Sequence, residues 1–256
     1  MEGRYSRQEL FRGIGKNGQQ RLLHSRVAIV GTGALGSASA NFLARAGVGF
    51  LKLIDEDDVE LCNIQRQILY DERDAKRSAK KVEAAYEKLK AINSETDIEI
   101  AAEHLSEKNY EKLLSDVDMV LDGSDNFAAR FIINRACLEF NIPWIYGGAV
   151  EAEGITMNFI PGGACLGCLT GTENEEALSL SGCAEVGVLN TVPAIVAALQ
   201  CTEAVKIMTG ASCKRSSLLK FDIWNNLFTS IDIPKDKDCP ICGKKNKIIA
   251  EKCIQI

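Results

Sequence analysis

The sequence predicts an α/β fold: a parallel sheet wrapped by helices and extended at one edge by antiparallel strands. Three features predict it. Strand-like and helix-like stretches alternate through roughly the first 147 residues, a pattern that builds parallel sheets. A glycine-rich turn follows the first strand. After Gly147 the alternation stops, and the last two strand-like runs have no helix between them. In chain order the parallel strands fall at 26–31, 50–55, 96–101, 117–122 and 142–147, with helices at 34–46, about 76–92, about 106–115 and 126–140. The runs at 154–161, 217–224 and 227–234 form the antiparallel extension. A long apolar helix, "NTVPAIVAALQCTEAVKIM", stops at Gly210. The polar segment "TGTENEEALSLSG" reads as a loop, mobile or lid-forming.

Composition narrows the function classes. The 256 residues are 46% hydrophobic, enough for one domain over 1–256 with a substantial core. A net charge of −5 argues against a nucleic-acid partner. "MEGRYSRQEL" lacks the apolar core of a signal peptide. No apolar run is expected to reach the roughly 18 residues of a membrane helix. A cytoplasmic protein without a membrane partner is therefore expected. In that setting the ten cysteines read as metal ligands, buried thiols or nucleophiles rather than disulfides.

Gly31, Gly33 and Gly36 form G-x-G-x-x-G straight after an apolar strand. Such glycines permit a tight turn and close backbone approach, and the helix N-terminus beyond offers free amides to phosphate. Asp55 ends the next strand, where a carboxylate accepts ribose hydroxyls. Taken alone, this Rossmann-like signal favours NAD or FAD; the alternative is a turn that only packs helix on strand.

The residues beyond Asp55 point elsewhere. "DEDDVELCNIQRQ" places an Asn-x-x-Arg-Gln cluster one loop further on, containing Asn63 and Arg66. Lys81 follows on the next helix, beside Lys80. "LDGSDN" ends a strand with Asp122 and Asp125, at the strand tips where open α/β sheets bind ligands. Two cations and a carboxylate suit a triphosphate carrying Mg²⁺, not a nicotinamide. Each residue also has a plainer reading: a surface ion pair for Arg66, a solvated lysine for Lys81, a helix cap for Asp125.

Cys165 and Cys168 in "CLGC" and Cys239 and Cys242 in "CPIC" are two knuckles that together would make a closed tetrahedral zinc site. Two unrelated thiol pairs or an iron–sulfur cluster are the alternatives. Cys183 lies in a loop just before the long helix, where a thiol pKa can fall; the alternative is a spectator. Cys62, Cys137, Cys201, Cys213 and Cys253 read as space-filling or surface thiols. His24 and His104 carry no assigned role.

In this order, "RYSRQ", "GTGALG", "LIDEDDVELCNIQRQ", "GSDNF", "CLGC" and "CPICG" resemble the ThiF/MoeB/HesA branch of the ubiquitin-activating-enzyme superfamily, from about Arg4 to Gly243. Members use ATP to adenylate the C-terminal glycine of a small ubiquitin-like protein. The resemblance implies that Asp55 holds the ribose, that Asn63, Arg66 and Lys81 (or adjacent Lys80) contact phosphates, and that Asp125 binds Mg²⁺. It further implies that Arg7 reaches the ATP of a neighbouring subunit in a homodimer. Cys183 would be the crossover-loop cysteine that in some members links to the carrier during sulfur transfer. A nucleotide-binding half over about 26–147 and a carrier-binding and zinc half over about 148–243 follow. The implied partner is a sulfur carrier ending in Gly-Gly, for thiamine or molybdopterin type biosynthesis. The few residues after Gly243 imply a separate sulfur donor. The rivals are adenylation of a peptide or small carboxylic acid, an NAD-dependent oxidoreductase, and a non-catalytic nucleotide-binding scaffold.

Overall fold

The computed structural model describes residues 3–171, 186–211 and 216–243. Its frame is one eight-stranded sheet in spatial order β3-β2-β1-β4-β5-β6-β7-β8. The strands are β1 (Arg26–Val30), β2 (Phe50–Ile54), β3 (Asp97–Ala101), β4 (Met119–Asp122), β5 (Trp144–Val150), β6 (Glu153–Phe159), β7 (Ser217–Asp222) and β8 (Leu227–Asp232). The first five pair in parallel and the last three add in antiparallel fashion, as the sequence predicts. The expected division near Gly147 falls inside β5, and the sheet continues across it.

The helices are α1 (Ser6–Leu10), α2 (Gly15–His24), α3 (Ala34–Ala46), α4 (Glu72–Lys76), α5 (Lys81–Ile92), α6 (Tyr110–Leu114), α7 (Phe127–Phe140), α8 (Leu166–Thr170) and α9 (Thr191–Thr209). Both faces of the central strands are covered, which is why β1 and β2 read as continuous apolar runs. Val27, Ile29, Leu51 and Leu53 pack on one face with residues of α2, α3, α5 and α9. Ala28, Val30, Phe50 and Ile54 pack on the other with α6 and α7.

Two expectations are corrected. The helix expected over about 76–92 starts later, at Lys81, because the residues before it belong to the short α4, started by a capping box at Asp71, and to the break that follows it. Ser78 there has φ +46°, and an isolated bridge joins Asp58 to Lys80. Second, α9 is long and apolar enough to cross a membrane, by length and composition. It packs against β5, β6 and α3, with Gln200 and Glu203 among its buried residues. Its apolar length lies against β5 and β6, and Gly210 caps it in the left-handed region at φ 75°.

The turn after β1 is held by backbone crowding. Gly31 has φ +82°, and a Cβ there would lie 2.6 Å from the Gly123 carbonyl oxygen. A Cβ on Gly36 would lie 1.8 Å from the Gly31 carbonyl oxygen. These are rigid backbone neighbours, so a methyl group has nowhere to go. Gly36→Ala is expected to destabilise by at least the ~1–3 kcal/mol typical of overpacking, read as a lower midpoint in urea unfolding.

Candidate functional site

A cavity of about 980 Å³ opens beyond the C-terminal ends of β1 and β4, the point where neighbouring connections run to opposite sides of the sheet. Gly33 caps α3 there with no side-chain hydrogen bond, so the amides of the first helical turn face the cavity region. Gly33 differs from its two companions. A Cβ on it would meet only Gln67 Nε2, at 3.7 Å. The fold tolerates a side chain at this position, and glycine keeps the turn low where a ligand approaches.

Asp55 lines the cavity and also ties it together. Its Oδ2 accepts the Thr32 N–H at 2.6 Å and the Thr32 hydroxyl at 3.1 Å, while Oδ1 accepts the Asp57 N–H at 2.9 Å. The loop carrying Asn63, Arg66 and Gln67 is pinned by Tyr70, whose buried hydroxyl donates to the Thr32 carbonyl at 2.8 Å. Burial holds the Tyr70 phenol well above its ordinary pKa, so it remains a donor.

The structure brings the predicted cations together. Arg66 and Lys81 both line the cavity. The Arg66 guanidinium is oriented by Asn63 Oδ1 at 2.9 Å. Lys81 is buried, and its Nζ lies 2.7 Å from Asp57 Oδ2. Lys80 turns away: its Nζ contacts Asp58 at 2.8 Å and the Glu56 carbonyl at 2.8 Å, outside the cavity lining. Of the two adjacent lysines, only Lys81 is part of the cavity lining.

The two aspartates after β4 separate. Asp125 is exposed on the cavity wall. Its plainer reading as a helix cap is taken by Asn126, whose Oδ1 accepts the Ala129 N–H at 2.9 Å. Asp122 is buried and committed elsewhere. It accepts from Ser124 N at 2.9 Å, Ser124 Oγ at 2.5 Å and Arg130 Nε at 3.1 Å. Burial raises the Asp122 pKa, against the pull of the Arg130 charge.

The four cysteines of the two knuckles converge, with every pair of sulfurs within 4.8 Å. Cys165–Cys239, Cys168–Cys242 and Cys165–Cys168 separations are 3.7, 3.5 and 4.0 Å. Tetrahedral zinc–thiolate bonds of ~2.3 Å imply sulfurs about 3.8 Å apart. The donor set therefore fits zinc with no open position, a structural site joining α8 to the segment after β8. Cys137 and Cys201 are core thiols; burial drives both up, Cys201 to about 12. Cys62 is exposed.

The sequence profile of the ThiF family matches residues 5–241. The chain belongs to the ThiF family. It is 41% identical to the sulfur carrier protein ThiS adenylyltransferase of Bacillus subtilis (strain 168), covering 96% of this chain and 73% of that one. It is 36% identical to the molybdopterin-synthase adenylyltransferase of Escherichia coli (strain K12), covering 94% and 96%. Among solved structures, E. coli MccB with MccA superposes with a TM-score of 0.82 at 25% identity, over 94% of this chain and 74% of MccB.

Some residues of this ThiF-family site escape a motif reading. Arg130 lines the cavity although 7% exposed, anchored on Asp122, the Ser124 carbonyl and the Gly147 carbonyl. Its position one helical turn beyond Asn126 was the available signal. His104 lines the cavity and lies 3.0 Å from Glu56; nothing local marks it. Arg7 sits exposed on α1, outside the cavity lining of its own chain. Cys183, and the loop "TGTENEEALSLSG" beyond Gly171, lie outside the described residues, as do Cys213 and Cys253.

Freshly purified, reduced protein is expected to carry about one zinc per chain by metal analysis. Cys239→Ser should lower the melting temperature without abolishing folding, because a separate hydrophobic core remains. Structural zinc is worth ~10–16 kcal/mol only in peptides that lack such a core.

Proposed function

We propose that this chain uses ATP to adenylate the C-terminal glycine carboxylate of a ubiquitin-like sulfur-carrier protein and releases pyrophosphate. The observation that carries the reading is the convergence of Arg66, Lys81 and Asp125 on one cavity at the uncapped start of α3. The similar sequences include ThiS and molybdopterin-synthase adenylyltransferases. An NAD-dependent oxidoreductase has no use for this charge pattern.

In this reading a carboxylate oxygen of the carrier attacks the α-phosphorus. The new bond is O–P, and the bond to the pyrophosphate oxygen breaks. Asp55 receives the ribose hydroxyls. Asn63, Arg66 and Lys81 hold the phosphate chain and take up the charge that grows on the leaving group. Side-chain nucleophiles have no part in this step, and positioning supplies much of the acceleration. Asp125, an exposed carboxylate on the wall, suits Mg²⁺, which would neutralise phosphate charge. Arg7 would act on the γ-phosphate held by a second copy, making the working unit a homodimer. Cys183 would serve only the later thiol step.

A second reading keeps the chemistry and changes the acyl substrate to a peptide or small acid; the fold shared with MccB in its complex with MccA favours it. ATP–pyrophosphate exchange with carriers ending in Gly-Gly, against a panel of peptides and acids, decides between them. Exchange stimulated only by a carrier supports the first; stimulation only by peptides or acids supports the second.

Asp125→Asn should fold normally and lose ~10²–10³ in exchange rate, the usual cost of removing one preorganised electrostatic contact. Near-normal exchange would remove Asp125 from the site. Mixing Arg7→Ala with Asp125→Asn subunits should restore part of the activity, since one site of the heterodimer carries both groups. Fully exchanged heterodimers that stay inactive would overturn the assignment of Arg7 across the dimer.

A further inference from the structure

Tyr146 has no role in the chemistry described above, yet it forms part of the cavity wall. It sits on β5 and is 3% exposed. Its ring packs against Trp144 and Phe159, with centroids 6.3 and 6.5 Å away. A phenylalanine would make the same packing, so the core has no use for the hydroxyl. No hydrogen bond reaches that hydroxyl among the described residues. It lies beside Gly148, another lining residue, where a Cβ would stand 3.4 Å from it. Burial raises the phenol's pKa, against the pull of the Arg130 charge, so the oxygen keeps its proton and can donate.

Arg130 completes the pair. Its guanidinium carbon lies 5.0 Å from the centre of the Tyr146 ring. Nε and Nη2 carry its hydrogen bonds to Asp122, Ser124 and Gly147, and Nη1 has no partner among the described residues. Two buried donors, one of them charged, suit a carboxylate. They stand apart from the cations expected to face phosphate. Arg66 and Lys81 follow β2, and β5 lies three strands from β2, about 14 Å at ~4.8 Å per strand. Beyond β5 the wall continues outward through Ile155 and Lys220. Resting on the carrier reading, we propose that the Tyr146 hydroxyl binds the terminal carboxylate of the carrier, donating to the oxygen that does not attack, with Arg130 beside it. One carboxylate oxygen bonds to the α-phosphorus as pyrophosphate leaves. The other becomes the carbonyl oxygen of the acyl-adenylate and stays on its donor throughout. Holding that oxygen orients the attacking one without occupying its lone pairs.

The test is calorimetric binding of a ubiquitin-like carrier ending in Gly-Gly, as the free carboxylate and as the C-terminal amide. Wild type, Tyr146→Phe and Gly148→Ala are compared, each saturated with α,β-methylene-ATP, which cannot release pyrophosphate. Wild type should bind the amide about ten-fold more weakly than the carboxylate, the scale of one hydrogen bond to a charged acceptor. Tyr146→Phe should bind the carboxylate about ten-fold more weakly than wild type does, and the amide almost equally well. Its melting temperature and its affinity for the nucleotide analogue should match wild type, because the ring packing is kept. Gly148→Ala sets a methyl group against the hydroxyl and should show the same selective loss; it also serves if the Phe variant does not fold. Variants that keep wild-type affinity for the carboxylate overturn the proposal. So does equal loss of carboxylate and amide, which marks a packing role. Wild type that binds neither form overturns the carrier reading, and the proposal falls with it.

Discussion

The close approach of two backbone segments, Gly31 at the end of β1 and Gly123 at the end of β4, is the constraint on which the site depends. A side chain at either position would meet carbonyl oxygen within 2.6 Å. With both bare, β1 and β4 end side by side, Gly36 tucks under Gly31, and α3 starts against the strand tips. The crevice between outgoing connections then opens over a helix N-terminus. Asp55 and Tyr70 fasten the flanking loops to the same turn through Thr32, so the cavity-lining groups share one base.

Charge is organised around that base in two groups. Buried Asp122 and Arg130 pair with each other, and Arg130, itself part of the cavity lining, makes four further contacts, with the rings of Phe127 and Tyr146 and the carbonyls of Ser124 and Gly147. A pair this deep contributes geometry more than stability, because desolvation offsets much of the attraction. Arg66 and Lys81 line the same cavity, Arg66 held by Asn63 Oδ1 and the Cys62 carbonyl and Lys81 by Asp57. The wall is thus set before substrate arrives, which is the condition for electrostatic stabilisation without reorganisation.

The antiparallel extension has a different task. Lys220 of β7 and Ile155 of β6 continue the cavity wall outward, and the thiolate cluster ties the segment after β8 back to α8. A sheet edge this far from the central core gains little from burial: all six residues of β8 are exposed. Zinc on these four sulfurs would cross-link such a segment to α8.

The parallel strands with their antiparallel extension, the glycine turn and the two cysteine knuckles were legible in the sequence because each rests on local rules. Strands buried on both faces must be apolar runs, a left-handed turn needs glycine, and paired thiolates need fixed spacing. The late start of α5 was not legible, since a capping box at Asp71 and a bridge from Asp58 outweighed helix periodicity. Lys80 and Lys81 are equivalent in sequence; only the packing of α5 against the sheet decided which one is buried beside the cavity. Asp122 and Asp125 look alike on the page as well, and their separation into a buried anchor and an exposed wall group follows from Arg130, one turn into α7. Sequence by itself determined which residue types meet; the tertiary structure decided which copy of each faces the cavity, because burial and partner geometry depend on elements far apart in the chain.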